Sequence, residues 1–391
     1  MVERHVTLRN WMEPPFNRAA FQRVRELVPT ALVRNRSGRS RPFEVRPEAL
    51  DAVAFAGAET GSPSWGEHLE RSQCDGVCVV HDGRIVFERY FNAMAADTPH
   101  LLMSVTKSVC AATLGIAVGN RRIGVDDLVC DVAPEFAGTS LDGATVQHVI
   151  DMSAGTDFVE DYDLYDDADG DSPLIEYERQ AGYRPLGARP PIGTLGHFRT
   201  YGTAFDHGAR FDYRSPLTNI AARLVEIVSG ARFPDVVSGE LWGPLGQEHD
   251  ADIMLDALGH PVAEGGMSCS LRDLARFGHL YLDDGRVDGR QVLPASWVQD
   301  TRDGTDSAVE RFAASEHRER GWSHYRNAFW TLERGEVFSG LGIFGQYCYV
   351  HRPSRTVIAR FSTYPSALPE PLSDETLAGF AAVATALTGG R

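Results

Sequence analysis

The spacing of apolar and polar positions divides the chain into sheet, helix and sheet again. CVVHDGRIVFERYF, ending at Phe91, reads as two β-rich runs around Asp82-Gly83, a dipeptide suited to the left-handed conformations of a tight hairpin. Antiparallel sheet is expected from Asp75 to Phe91. After His100, LLMSVTKSVCAATLGIAVG switches to helical spacing and closes at Gly119, a natural helix end. Thr145 to Met152 and Leu217 to Gly230 are helical too, and helix dominates to about residue 280. Strand-like runs return at Val337 to Arg352 and Arg355 to Pro365, and a last helix is expected from about Ser373 to Leu387.

This order predicts an α/β (α+β) protein with an antiparallel sheet flanked by helices. One sheet-plus-helix lobe would combine residues 66–120 and 280–391, with a mostly helical lobe, 121–279, inserted between them. Residues 1–65, rich in Pro, Arg and polar positions, predict an irregular arm wrapping the body.

Composition narrows the function. A net charge of −16 argues against nucleic acid or an anionic membrane surface as partner, since both demand a positive footprint. No stretch approaches the roughly 20 apolar residues of a membrane span. The first ten residues lack a secretory pattern, so a cytoplasmic location is expected. Cys74, Cys78, Cys110, Cys130, Cys269 and Cys348 form no metal-spaced pair, and His148 and His207 read as structural, so no metal and no cofactor are expected. Eight acidic residues fall between Asp157 and Asp171. They form either a solvated loop or a mouth that attracts amines, but not an EF-hand, whose required glycine is replaced by Ser172.

Lys107 is the only lysine in the chain; every other long cationic side chain is arginine. What lysine has and arginine lacks is an amine that can lose its proton near neutral pH, which points to acid–base chemistry at this position. Ser104 lies three residues before it, on the same face of the predicted helix, so hydroxyl and amine can meet. No serine sits in a G-x-S-x-G elbow. Tyr213 and Ser215 form Y-x-S ahead of a helix, and Ser339-Gly340-Leu341-Gly342-Ile343 puts glycines into a strand, a mark of close backbone approach.

In this order the three motifs resemble those of the serine β-lactamase, penicillin-binding protein and family VIII carboxylesterase superfamily, whose marks are S-x-x-K, Y-x-N/S and a [KH]-[TS]-G strand. WMEPPFNRAAF, HLLMSVTKS, ERQAGYR and SGLGIFGQ are similar to the nylon-oligomer (6-aminohexanoate-dimer) hydrolases in particular. The resemblance covers nearly the whole chain and implies a β-lactamase/transpeptidase-like fold. It implies Ser104 as acylated nucleophile, Lys107 as general base and Tyr213 as proton relay, with the backbone N–H groups of Ser104 and Ile343 as oxyanion hole. By the same resemblance Tyr162 closes over substrate, and Glu178, Glu264, Ser215 and Gly342 lie at substrate positions. The chain departs from the pattern at Gly340, where penicillin binders carry Lys or His. It departs again at Glu178 and Glu264, where the nylon-oligomer enzymes carry aspartate and asparagine.

The function expected is a serine acyl-enzyme hydrolase of a small linear amide or ester. The alternatives are a transacylase passing the acyl group to an amine or alcohol, and an inactive binding or sensor protein on the same fold. The partners expected are a small-molecule acyl donor and, for transfer, an amine acceptor, with no nucleic acid and no membrane; a homodimer is left open.

Overall fold

The computed structural model describes residues 5–36, 38, 40–57, 61–162, 165, 170 and 172–388. Among them the main sheet contains β1 (Glu44–Val45), β2 (Cys74–His81), β3 (Arg84–Tyr90), β4 (His324–Arg326), β5 (Phe329–Glu333), β6 (Val337–Gly342), β7 (Gln346–His351) and β8 (Thr356–Ser362). Their order is β4-β5-β6-β7-β8-β2-β3-β1, antiparallel throughout except that β1 runs parallel to β3. Asp82 and Gly83 turn β2 into β3 with φ of 46° and 75°, the left-handed pair a tight hairpin needs. The pairing of β8 with β2, with Ile358 opposite Val79, joins the two ends of the chain.

The central strands are buried along nearly their whole length because both faces of the sheet are covered. Cys78, Val80, Cys348, Val350, Val357 and Ala359 face helices α1 (Val105–Gly119) and α3 (Leu271–Leu282). Their alternate neighbours Val77, Val79, Tyr347, Tyr349 and Ile358 pack on Trp65 and on Phe380 and Val383 of α4 (Glu370–Thr388), as the two-residue period of a strand requires. Between α1 and α3 in sequence, α2 (Pro216–Ser229) is buried along Leu217, Ile220, Ala221 and Leu224 and ends on Gly230, whose φ of 64° closes the helix.

A smaller sheet orders Thr30–Val33, Ala251–Met254, Met267–Cys269 and His100–Leu101. Its last two strands deliver residues 102–104 and 264–266 to one place. Two expectations change here. The first 65 residues are not wholly irregular, since Thr30–Val33 pairs with Ala251–Met254; a four-residue strand with so distant a partner leaves no local period to read. The lobe boundary at 279 falls inside α3, which packs on β2, β7 and β8 and so goes with the sheet. Cys130 is partly exposed and the other cysteines are buried free thiols. No helix among the described residues is long and apolar enough to cross a membrane.

Candidate active site

Leu102 donates its N–H to Met267 O, Met103 then takes a φ of 46°, and Ser104 opens α1 with φ −65° and ψ −8°. This left-handed step at a non-glycine residue is strained, and it forms the turn from which α1 starts. One helical turn on, Lys107 Nζ donates to Ser104 Oγ at 2.8 Å and to Glu264 O at 2.7 Å. Lys107 is 1% exposed. Burial lowers its pKa to about 8, against the opposing pull of the Glu160 and Glu264 charges. Near pH 8 much of it is therefore neutral amine.

Tyr213 completes the group. Its ring centroid lies 5.1 Å from Lys107 Nζ, it stacks on Trp330 at 5.3 Å, and Ser104 is close enough to its hydroxyl to lower the pKa against the effect of burial. Burial raises its pKa first and the Glu160 charge second, so it remains a phenol with a proton to pass on.

The glycine-rich strand has its explanation in the same place. A Cβ on Gly340 would lie 2.9 Å from Ser108 Oγ, and one on Gly342 would lie 2.6 Å from Leu102 O. The close approach inferred for this strand is that of α1 and the turn before it, so β6 is pressed against the nucleophile's own segment. Past Gly342, Ile343 turns toward Ser104. Among the described residues neither the Ser104 N–H nor the Ile343 N–H has an acceptor, which leaves both free for a ligand oxygen.

Ser104, Lys107, Tyr162, Glu178, Ser215, Glu264 and Ile343 line one cavity of about 30 Å³. That space holds a water and not a substrate, so ligand entry requires a wall to move. Tyr162, Tyr165, Tyr177 and Tyr183 form much of the wall, and Trp11 of the N-terminal arm buttresses Tyr183, stacking on it at 6.2 Å and donating to its carbonyl at 2.7 Å. Gly342 lies behind the cavity rather than on it.

Two carboxylates are already engaged. Glu178, placed at a substrate position by the resemblance, accepts from Arg184 Nε at 2.5 Å, so its charge is paired within the protein. Glu160, visible in the sequence only as one acid among eight, accepts from Ser215 N–H at 2.5 Å, Ser215 Oγ at 2.7 Å and the Tyr162 hydroxyl at 2.7 Å. It fastens the Y-x-S segment to Tyr162. Of the acidic run, Asp163, Asp166, Asp167, Asp169 and Asp171 lie outside the described residues.

Glu160→Ala is expected to raise KM about tenfold with a smaller loss of kcat, because charge-assisted hydrogen bonds that hold Tyr162 and Ser215 are lost. It also removes a charge that raises the Lys107 pKa, so the acid limb of the pH–rate profile should move to lower pH. Steady-state kinetics across pH read both effects; an unchanged KM with an unmoved limb would remove Glu160 from the site.

The remaining histidine expectation rests on plain geometry. Gly155 N–H donates to His207 Nδ1 at 3.0 Å and Thr145 N–H donates to His148 Nδ1 at 3.2 Å, so both rings brace loops. No cluster of metal-ligating side chains occurs among the described residues.

With this geometry in place, the likeness to known proteins is informative. The β-lactamase family model matches residues 67–382. A 6-aminohexanoate-dimer hydrolase of Paenarthrobacter ureafaciens is 35% identical over 365 residues, spanning 92% of this chain and 88% of that protein. A solved Bacillus anthracis structure bearing the same name provisionally superposes with a TM-score of 0.89 at 23% identity, covering 99% of this chain and 98% of that one. EstCE1, a hydrolase with promiscuous acyltransferase activity, superposes with a TM-score of 0.62 at 15% identity over 82% of this chain and 96% of its own. The two solved structures establish the fold, and the family match with the 35% identical relative establishes more: this chain is a serine hydrolase that belongs to the β-lactamase family.

Proposed function

We propose that the protein hydrolyses a small linear amide or ester through an acyl-enzyme on Ser104. The observation that carries this reading is the 2.8 Å contact between the Ser104 hydroxyl and a fully buried amine whose pKa is lowered to about 8. Neutral Lys107 takes the hydroxyl proton as Oγ attacks the acyl carbon. The Ser104 and Ile343 N–H groups receive the developing oxyanion, and Tyr213 passes the proton to the leaving nitrogen or oxygen. The narrow, tyrosine-walled cavity suits an unbranched acyl chain once Tyr162 swings aside, with Ser215 placed to contact it. The name of the 35% identical relative, a 6-aminohexanoate-dimer hydrolase, supports a linear amide.

Purified protein offered linear p-nitrophenyl esters and the corresponding amides, with and without a panel of amines, tests this. Release of free acid in every case supports hydrolysis, and partition of the acyl group into new amides would move the reading to transfer. Absence of turnover on every acyl donor would favour a binding protein.

β-Lactams are expected to be poor substrates. Position 340 is glycine, and the Cβ contact with Ser108 Oγ leaves no room there for the cation that would hold a β-lactam carboxylate. Nitrocefin should be turned over with kcat/KM below about 10⁴ M⁻¹s⁻¹, the lower edge of ordinary enzyme efficiency. A value well above that would contradict the assignment of a linear acyl donor.

A further inference from the structure

Glu264 is the one carboxylate on the cavity wall, among the described residues, that no donor satisfies. It is 3% exposed, and neither Oε1 nor Oε2 receives a hydrogen bond of good geometry. Glu178 is taken by Arg184, and Glu160 by Ser215 and Tyr162. Asn219 and Tyr177 stand beside Glu264 and lower its pKa; Asn219 donates one amide hydrogen to the Tyr177 hydroxyl at 2.5 Å and accepts from Ala263 N–H at 2.8 Å, and its second amide hydrogen and the Tyr177 proton make no hydrogen bond of good geometry to either Glu264 oxygen. A buried, unsatisfied carboxyl is costly, and such a group is characteristically one that meets its partner during function.

Its position says which partner. The Glu264 backbone carbonyl is held 2.7 Å from the same Nζ that touches Ser104 Oγ, and Glu264 lines the same small cavity as Ser104 and Lys107. Once Ser104 is acylated, Lys107 still points at Oγ, the atom that must recover a proton when the ester breaks. The attacking molecule needs a different acceptor.

We propose that Glu264 holds the second nucleophile, water in hydrolysis, and takes its proton during deacylation. This rests on the acyl-enzyme at Ser104. The water oxygen bonds to the acyl carbon while its proton passes to the Glu264 carboxylate. The tetrahedral intermediate collapses by breaking the bond from that carbon to Oγ, and the proton returns from Glu264 through Nζ to Oγ. One water is consumed, one acid is released, and every side chain regains its starting state.

The groups facing Glu264 are Lys107 and Cys110 of α1, Tyr177, Tyr183 and Tyr213. Of these Lys107 alone is positive, and it opposes the rise to about 7 that burial gives the Glu264 pKa. Deacylation should accordingly gain rate as pH rises through that region, where the carboxylate form fills.

The test is Glu264→Gln and Glu264→Asp in stopped flow with a linear p-nitrophenyl ester, with intact-mass spectrometry of the quenched enzyme. For Glu264→Gln the expected result is a retained burst of nitrophenolate whose acid limb moves to lower pH, because a charge that raises the Lys107 pKa is gone. The steady state should be at least about 100-fold slower, with an accumulated acyl adduct and no remaining deacylation limb near pH 7. Glu264→Asp should restore part of the steady-state rate, and hydroxylamine, which attacks the ester without a base, should clear the adduct. Loss of burst and steady state together, or a steady state unchanged, would overturn the proposal. Fluorophosphonate labelling of Ser104 in both variants reports separately on the nucleophile, so failure of the acyl-enzyme reading shows there and not in the deacylation rate.

Discussion

Ser104→Ala is expected to lower kcat/KM by at least about a thousandfold, roughly 4 kcal/mol of transition-state stabilisation, while leaving the melting temperature within a few degrees of wild type. The fold does not depend on this hydroxyl: Ser104 caps α1 without a side-chain capping bond, and alanine fits wherever serine does. The chemistry does depend on it, because the other serines with a nearby basic group are worse placed. Ser215 donates to Glu160, but a carboxylate is a far weaker base than a neutral amine, and the same carboxylate consumes the Ser215 N–H. Ser354 has His351 Nδ1 at 2.8 Å yet is 2% exposed and away from the cavity. Ser108, one turn along α1, is spent on Ala328 O. Residual activity above about a hundredth of wild type would mean that one of these attacks instead.

Lys107→Arg should cost between about 10² and 10⁴ in kcat/KM, the ordinary worth of a general base. Arginine preserves the positive charge and cannot release a proton in this range, so the variant separates acid–base chemistry from electrostatics. The pH dependence of wild type carries the same information. Burial depresses the Lys107 pKa from 10.5 to about 8, and only the neutral amine can accept the serine proton. The rate should therefore climb about tenfold per pH unit below pH 8 and level off above it, and Lys107→Arg should abolish this limb. A wild-type profile flat from pH 6 to 9, or an arginine variant with more than about a tenth of the activity, would assign the base elsewhere.

Much of the site was legible in the chain because its chemistry is concentrated in unusual local choices. A single lysine in an arginine-only protein marks itself, and its spacing from Ser104 fixes one helical face. The glycines of β6 announced a close approach, although the sequence could not say that the approaching partner was the nucleophile's own turn. The hairpin declared itself by the Asp82-Gly83 dipeptide between two β-rich runs, and the late strands by their β-rich composition. What escaped is non-local. Glu160 lies 55 residues from the Ser215 it binds, and Trp11 reaches Tyr183 across 172 residues. Such pairings depend on how the arm and the loop before α2 fold back, which no periodicity encodes. The small sheet was hidden for a related reason, since strands of two to four residues are too short to show alternation.

The central claim is that Ser104 becomes acylated with Lys107 as its base. Its most direct test is peptide-resolved mass spectrometry of the protein after reaction with a fluorophosphonate and, separately, with an activated linear ester quenched early. A single adduct on Ser104 with both reagents, formed faster as pH rises toward 8 and absent from Ser104→Ala, is the predicted result. An adduct on Ser215 or any other residue, or labelling that persists in Ser104→Ala, would contradict it.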